Sequence, residues 1–235
     1  SPHGVKYKIV RDPLELEASR QSKYVVTSYL DILGDIVNVE GRYVFVGIPC
    51  YVKSLKLLMR QHPVLRERIA YTIAIFCGHQ KTFSFPQYIG WNLGVQPNDL
   101  KMVNYRVKKE GFRSYEYFYQ AVDKNNLLHE GVVTKIKWLD WGVGLFKLKA
   151  CDVCDDVTGE TADIIFGDAW LRPYTLDYRG TNVLVCRNRE LENILLESQK
   201  KGQITLIAES KETIIKSQAA NYRHRKEGLL SRIAF

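Results

Sequence analysis

The chain has 235 residues, 46% hydrophobic and 26% charged, with 34 Lys and Arg against 26 Asp and Glu for a net charge of +8. Leu, Ile, Val, Phe and Tyr recur throughout, which excludes disorder as the main state and predicts a core that needs no disulfide staples. No apolar run approaches the ~18 residues of a membrane span and no signal peptide is visible, so a cytoplasmic, reducing setting is expected. The chain starts at Ser1, not Met, and reads as trimmed or processed. The positive charge suits an acidic partner without choosing among nucleic acid, anionic lipid, phosphorylated cofactors and acidic proteins. Its denser groups, at residues 60–68 and 223–232, read as solvated helix faces.

In chain order, residues 22–37 carry Tyr24, Val25, Leu30, Ile32, Leu33 and Ile36 and read as a helix against the core. Residues 43–47 (Tyr-Val-Phe-Val-Gly) read as a strand buried on both faces. A helix over 51–61 follows, with Val52, Leu55, Leu58 and Met59 at helical spacing, and Pro63 ends or kinks it. Residues 69–76 form a second buried strand. The order strand, short loop, helix, strand is a βαβ unit with a right-handed crossover and a parallel strand pair. Residues 80–93 are a helix or an irregular segment. Strands are expected over 102–107 and 115–122, antiparallel across a turn at Glu110 and Gly111. A further strand or a bridging segment covers 132–138. Short strands at 164–167 and 182–187 precede a helix at 190–200, a strand at 204–208 and a terminal helix at 211–225. The sum is one α/β domain with an open mixed, partly parallel sheet, flanking helices and an antiparallel insertion. Its parts are a helical lead-in (1–40), a core (41–190) and a C-terminal helix–strand–helix (191–235).

Five cysteines carry the chemistry. Cys50 follows the first buried strand and Cys77 the second. In a parallel pair both lie at the carboxyl edge, where open α/β sheets place ligands. Cys50 also precedes a helix, whose N-terminal dipole favours a thiolate. Cys151 and Cys154 form Cys-x-x-Cys, which can grip one metal centre from a single turn. Four thiolates suit a [4Fe–4S] cluster or a structural zinc, and their dispersal fits a cluster within a larger domain better than a zinc ribbon. Core filling by isolated Cys is the plainer alternative, and it is the reading for Cys186. A thioredoxin-like dithiol is a third, opposed by Asp152, Asp155 and Asp156, because neighbouring carboxylates raise a thiol's pKa.

Dinucleotide-binding, P-loop and hydrolase-elbow motifs are all missing. His79 could donate to a ligand or shuttle a proton, or simply be a hydrogen-bonded loop residue. Asp168, at the end of a strand, could hold a ribose or ring donor or cap the next turn. Tyr105, Tyr115, Tyr117 and Tyr119, interleaved with Lys and Arg, fit either a nucleic-acid platform or the half-buried face of an antiparallel pair. No nucleic-acid motif accompanies them, so nucleic acid is not expected as a partner.

Several segments together resemble a known family. They are Ser22-Lys23-Tyr24, Val44-Phe45-Val46-Gly47-Ile48-Pro49-Cys50, Phe76-Cys77-Gly78-His79, Lys149-Ala150-Cys151-Asp152-Val153-Cys154-Asp155, Ala162-Asp163-Ile164 with Gly167-Asp168-Ala169-Trp170, and Gly180-Thr181-Asn182. In this order they resemble the C-terminal domain of the coenzyme F420 hydrogenase/dehydrogenase beta subunits. The resemblance implies a flavin and iron–sulfur oxidoreductase module, with FAD beside a [4Fe–4S] cluster and electrons passing to a hydride carrier such as coenzyme F420. It implies Cys50, Cys77, Cys151 and Cys154 as cluster ligands. It implies Ser22, Lys23, Gly47, Gly167, Asp168 and Thr181 at the flavin or substrate pocket, with His79 and Asp168 as catalytic groups. Expected partners are a redox protein or ferredoxin-like domain and a deazaflavin or other hydride-carrying small molecule. No Cys precedes Cys50, so the family's ferredoxin-like segment is not expected in this chain, which reads as a fragment or a shorter relative. Two alternatives remain. One is a non-redox accessory or transferase-like protein of surface-polysaccharide synthesis, with no cofactor. The other is a zinc-stabilised basic nucleic-acid-binding domain.

Overall fold

A computed structural model describes residues 5–234; the start at Ser1 lies outside them. In chain order the helices and strands are α1 (Pro13–Ser19), α2 (Leu30–Asn38), β1 (Tyr43–Gly47), α3 (Pro49–Gln61), α4 (Pro63–Arg68), β2 (Ile69–Ile75), α5 (Ser84–Asn92) and β3 (Leu100–Val107). They continue as β4 (Phe118–Asp123), β5 (Leu128–Val132), β6 (Ile164–Asp168), β7 (Asn182–Cys186), α6 (Arg189–Lys200), α7 (Lys211–Ser217), α8 (Ala219–Tyr222) and α9 (Leu229–Ile233). The chain divides into two compact units. One takes the residues up to 34, 79–151 and 175–180; the other takes 35–78, 152–174 and those from 181 on.

The second unit is built on a four-stranded sheet in the order β1-β2-β6-β7. β1, β2 and β6 are parallel, with Gly47 opposite Ala74 and Ile75 opposite Phe166, and β7 closes the sheet antiparallel. The βαβ reading holds, with α3 and α4 as the crossover. Pro63 starts α4, where its missing N–H costs nothing. Val52, Leu55 and Met59 of α3 form a stripe at helical spacing, buried with Phe45, Leu65 and Ile165. The expectation of burial on both faces fails for β1. Phe45 is buried, but Val44 and Val46 are 51% and 47% exposed, because β1 is an edge strand with helix cover on one face. Residues 204–208, expected as a strand, are irregular: Ile207 is exposed, and the sheet ends at β7. The expected terminal helix breaks after Ser217. There the Ser217 hydroxyl accepts from the Trp170 N–H (3.3 Å), and the Gln218 side chain donates to the Asp168 carbonyl (2.8 Å).

Asp163, just before β6, ties this unit together. Its carboxylate accepts from the Thr72 N–H (2.8 Å), the Thr72 hydroxyl (2.6 Å) and Lys56 Nζ (3.2 Å). Burial alone would raise its pKa, but the Thr72 bonds and the Lys56 charge outweigh it and hold the carboxyl below the usual range. A depressed pKa adds stability above the unfolded-state value, about 3.9, that is lost as pH falls through the folded one. Asp163→Asn is therefore expected to cost about 1–3 kcal/mol near neutral pH. Urea melts should show that gap closing below about pH 4; a pH-independent gap would exclude the carboxylate charge as the cause.

The largest segment of the first unit, residues 79–151, lies between β2 and β6 in the chain and carries the antiparallel sheet β3-β4-β5. The β3–β4 turn is as expected, with Gly111 at φ +84°. β5 lies earlier than the reading of residues 132–138, which are mostly a short 3₁₀ turn and coil. Phe85, Ile89, Tyr105, Tyr119 and Leu139 form its buried core, with Tyr24, Trp141 and Phe146 packed around them. Tyr105 and Tyr119 thus follow the half-buried-face reading, and burial raises both phenol pKa values. Tyr115 precedes β4 and contacts Arg113 instead. Residues 22–29 are not helical but irregular, with one isolated β-bridge at Val25. The β-branched run Val25-Val26-Thr27 disfavours a helix, and Val25 pairs with Lys81. A Ser28 hydroxyl accepting from the Leu30 N–H (3.2 Å) then starts α2.

Candidate functional site

In the sheet unit, parallel β1, β2 and β6 all end at one edge. Gly47 closes β1, Cys50 is the second residue of α3, Cys77 lies two residues past β2, and Gly167 and Asp168 end β6. Thr181 joins them, its carbonyl accepting from the Ala169 N–H (2.9 Å). The sheet topology therefore brings six predicted residues to a common edge. Cys50 is exposed, in the first turn of a thirteen-residue helix whose dipole favours a thiolate. Cys77 and Cys154 are half-buried. Gly167 has a packing reason for its lack of side chain: a Cβ there would lie 2.6 Å from the Phe76 ring. Cys186 faces the opposite edge, opposite Ile164, with its thiol on the Asn188 carbonyl (3.2 Å).

Sequence reasoning missed Arg225. The group at residues 223–232 reads as solvated, yet Arg225 is 2% exposed. It sits in a π-helical turn, Arg223–Glu227, between α8 and α9. Its Nε and Nη2 donate to the Gly78 carbonyl (3.0 and 2.6 Å). Its Nη1 donates to Cys154 Sγ, and Nη2 lies 3.9 Å from Cys77 Sγ. Two cysteines far apart in the chain thus meet on one buried guanidinium. The Cys154 loop is pinned by further bonds. Arg232 donates to the Asp152 carbonyl (2.9 Å), Arg187 to the carbonyls of Thr158 (3.0 Å) and Gly159 (3.3 Å), and the Gly159 N–H to Asp156 (2.7 Å). Burial pushes the Asp156 carboxyl pKa up. Gly159 itself is required, since its φ is +57° and a Cβ would lie 2.8 Å from Ile165.

The other unit holds Ser22, Lys23, His79 and Cys151. Cys151 Sγ accepts from the Gln80 N–H (3.4 Å), and the Leu148 N–H donates to the Gln80 carbonyl (3.2 Å). His79 is buried, with its ring stacked on Trp141 at 4.4 Å and 9°. Lys81 is also buried. Its Nζ donates to the Leu145 carbonyl (2.5 Å) and lies 4.6 Å from the Trp141 ring centre and 5.2 Å from that of Phe85. Burial, aided by the Lys147 charge and opposed by Cys151, pulls its pKa down to about 8. Lys23 donates to the Arg20 carbonyl (3.0 Å), and partial burial lowers its pKa. With Arg20, Gln21, Asn104 and Gln120 it lines a cleft of about 530 Å³, and Ser22 stands between Gln21 and Lys23 in the chain.

Among the described residues no three His, Cys, Asp or Glu side chains stand close enough to hold a metal ion in this arrangement. The donor set nevertheless fits an iron–sulfur centre in chemical kind. The ligands would be thiolates, two of them already share a cationic hydrogen-bond donor, and a third accepts a backbone N–H.

A family model for the C terminus of the beta subunit of coenzyme F420 hydrogenase/dehydrogenase matches residues 40–212, which include Cys50, Cys77, Cys151 and Cys154 but not Arg225. Among solved structures, the fold is similar to a chain from "Xenon derivatization of the F420-reducing [NiFe] hydrogenase complex from Methanosarcina barkeri". The TM-score is 0.65 at 12% identity, over 100% of this chain and 77% of that one. No curated protein gave a significant match. No described helix is long and apolar enough to cross a membrane. With its match covering well over half of the residues, the chain belongs to the family formed by the C-terminal regions of coenzyme F420 hydrogenase/dehydrogenase beta subunits.

Proposed function

We propose that this protein is a flavin and iron–sulfur redox module that exchanges electrons between a partner protein and a hydride carrier such as coenzyme F420. The observation that supports it most is the meeting of Cys77 and Cys154 on buried Arg225, in a chain of this family. A guanidinium facing two sulfurs offers them hydrogen bonds of the kind that support ligand thiolates on iron. Cys50, Cys77, Cys151 and Cys154 are the proposed ligands of a [4Fe–4S] cluster. The Cys-x-x-Cys spacing ties Cys151 to Cys154, and the parallel strands bring Cys50 to the edge that Cys77 leaves. When bound, FAD would take two electrons as hydride and the cluster would carry them singly.

The chain's own residues would bind, orient and move protons. Gly47, Gly167, Asp168 and Thr181 at the sheet edge are proposed as flavin or substrate contacts; Ser22 and Lys23 are proposed in the same role from the family resemblance. The Gln218 bond to the Asp168 carbonyl fixes the backbone at that carboxylate. The Trp141 stack holds the His79 ring in one plane, as a proton-handling imidazole requires. Lys81 adds an amine that can lose its proton near pH 8. The proposed partners are a redox protein or ferredoxin-like domain and the hydride carrier.

Anaerobic purification with assays of iron, sulfide, zinc and flavin tests this. About four irons per chain, a broad visible band that bleaches on reduction, and bound flavin are expected. Zinc in place of iron, or a colourless protein that accepts no reconstituted cluster, would overturn the redox reading.

A further inference from the structure

We infer that Arg225 sets the reduction potential of the centre held by Cys77 and Cys154, raising it through its charge and its hydrogen bonds to sulfur. This rests on the reading that these cysteines ligate an iron–sulfur cluster. Arg225 lies outside the family match, 71 residues beyond Cys154 and 148 beyond Cys77.

Three observations carry it. The guanidinium is almost fully buried, so its charge is poorly screened by water. Its orientation is set by two bonds to one carbonyl, Gly78 O, which leave Nη1 aimed at Cys154 Sγ and Nη2 near Cys77 Sγ. The segment bearing it is anchored rather than frayed: Arg232 bonds the Asp152 carbonyl, and Lys226 lies 3.8 Å from Asp155 and 3.6 Å from Glu160. Those acidic groups are exposed or already faced by Lys226, so Arg225 is the buried cation against the sulfurs among these neighbours.

Reduction adds one electron to such a cluster and makes it one charge more negative. A fixed cation beside two ligand sulfurs stabilises that state more than the oxidised one. Donation to sulfur acts in the same direction, because it withdraws electron density from the thiolates. Arg is suited to this work because its planar fork serves a carbonyl and two sulfurs at once, whereas a Lys ammonium is a point charge on a flexible stem.

The test uses the full chain, reconstituted anaerobically with iron and sulfide, as wild type, Arg225→Gln and Arg225→Lys. Iron and sulfide content come first, then a spectroelectrochemical titration of the visible band. At a fixed potential near the wild-type midpoint, Arg225→Gln is expected to shift the reduced-to-oxidised ratio about tenfold toward oxidised, a fall of ~59 mV for a one-electron couple. Arg225→Lys, which keeps the charge and loses the fork, is expected to fall between. If wild type takes up no iron, the cluster reading itself has failed. If wild type and a variant hold equal iron at equal potentials, the cluster reading stands and the role of Arg225 is overturned. Should Arg225→Gln lose its iron, Arg225→Lys decides: a retained cluster at lowered potential supports the inference and an unchanged potential overturns it. Loss of iron from both variants would also overturn it, in favour of a purely structural role.

Discussion

Replacing Cys154 with serine is expected to cut bound iron from about four atoms per chain to fewer than one after anaerobic reconstitution. A serine hydroxyl keeps the shape of the side chain but is far harder to ionise than a thiol, so it is a much poorer ligand for iron than a thiolate. The substitution also takes the sulfur partner from Arg225 Nη1, although the two bonds to Gly78 O still hold the guanidinium. Loss of iron should therefore come with a small fall in stability rather than loss of the fold. Cys50→Ser is expected to behave alike in iron content. Cys186→Ser is the control, because the antiparallel register puts Cys186 opposite Ile164, at the amino end of the parallel strands. Iron and sulfide assays with a visible spectrum read all three. Full iron content in the Cys154 variant would remove that residue from the ligand set.

Phe85→Ala should cost about 3–5 kcal/mol of unfolding free energy. Phe85 is 1% exposed at the centre of the aromatic core. It stacks on Tyr105 at 6.0 Å and 6°, and meets Tyr119 (6.4 Å), Tyr24 (6.2 Å) and Trp141 (6.4 Å) edge-on. Rigid rings cannot collapse far into the vacated volume, so both the transfer loss and a cavity remain. The Lys81 ammonium, 5.2 Å from the same ring, would lose one of its two aromatic faces. Urea denaturation followed by near-ultraviolet circular dichroism checks the prediction, because the signal reports ordered aromatic packing. A cost below about 1 kcal/mol would mean that this core repacks around the gap.

Which parts of this could be read in advance follows from the range of the forces involved. β1, α3, β2, β6, β7 and α6 are marked by local patterns: short β-branched runs, apolar residues at helical spacing, and Pro or Gly at the ends. The parallel pairing of β1 and β2 then follows from the helical crossover that joins them, and it puts Cys50 and Cys77 at one edge. Local pattern misleads where a distant partner decides. Residues 22–29 have apolar spacing that a helix could use, but Val25 is bridged to Lys81 instead and the segment is not helical. Residues 204–208 have strand composition, but among the described residues they pair with no strand. The terminal helix breaks because Ser217 and Gln218 bond to the backbone at the end of β6.

Short-range pattern is thus enough for the fold class, the family and the sheet edge that carries two cysteines, since each depends on neighbours a few residues apart. The burial of Arg225 on Cys77 and Cys154, and of Lys81 among aromatic rings, emerges only when the whole chain is packed. An arginine or lysine carries no local mark of burial. Its long stem reaches partners chosen by the whole fold, and a guanidinium or ammonium stays out of water only where that fold supplies acceptors to meet it.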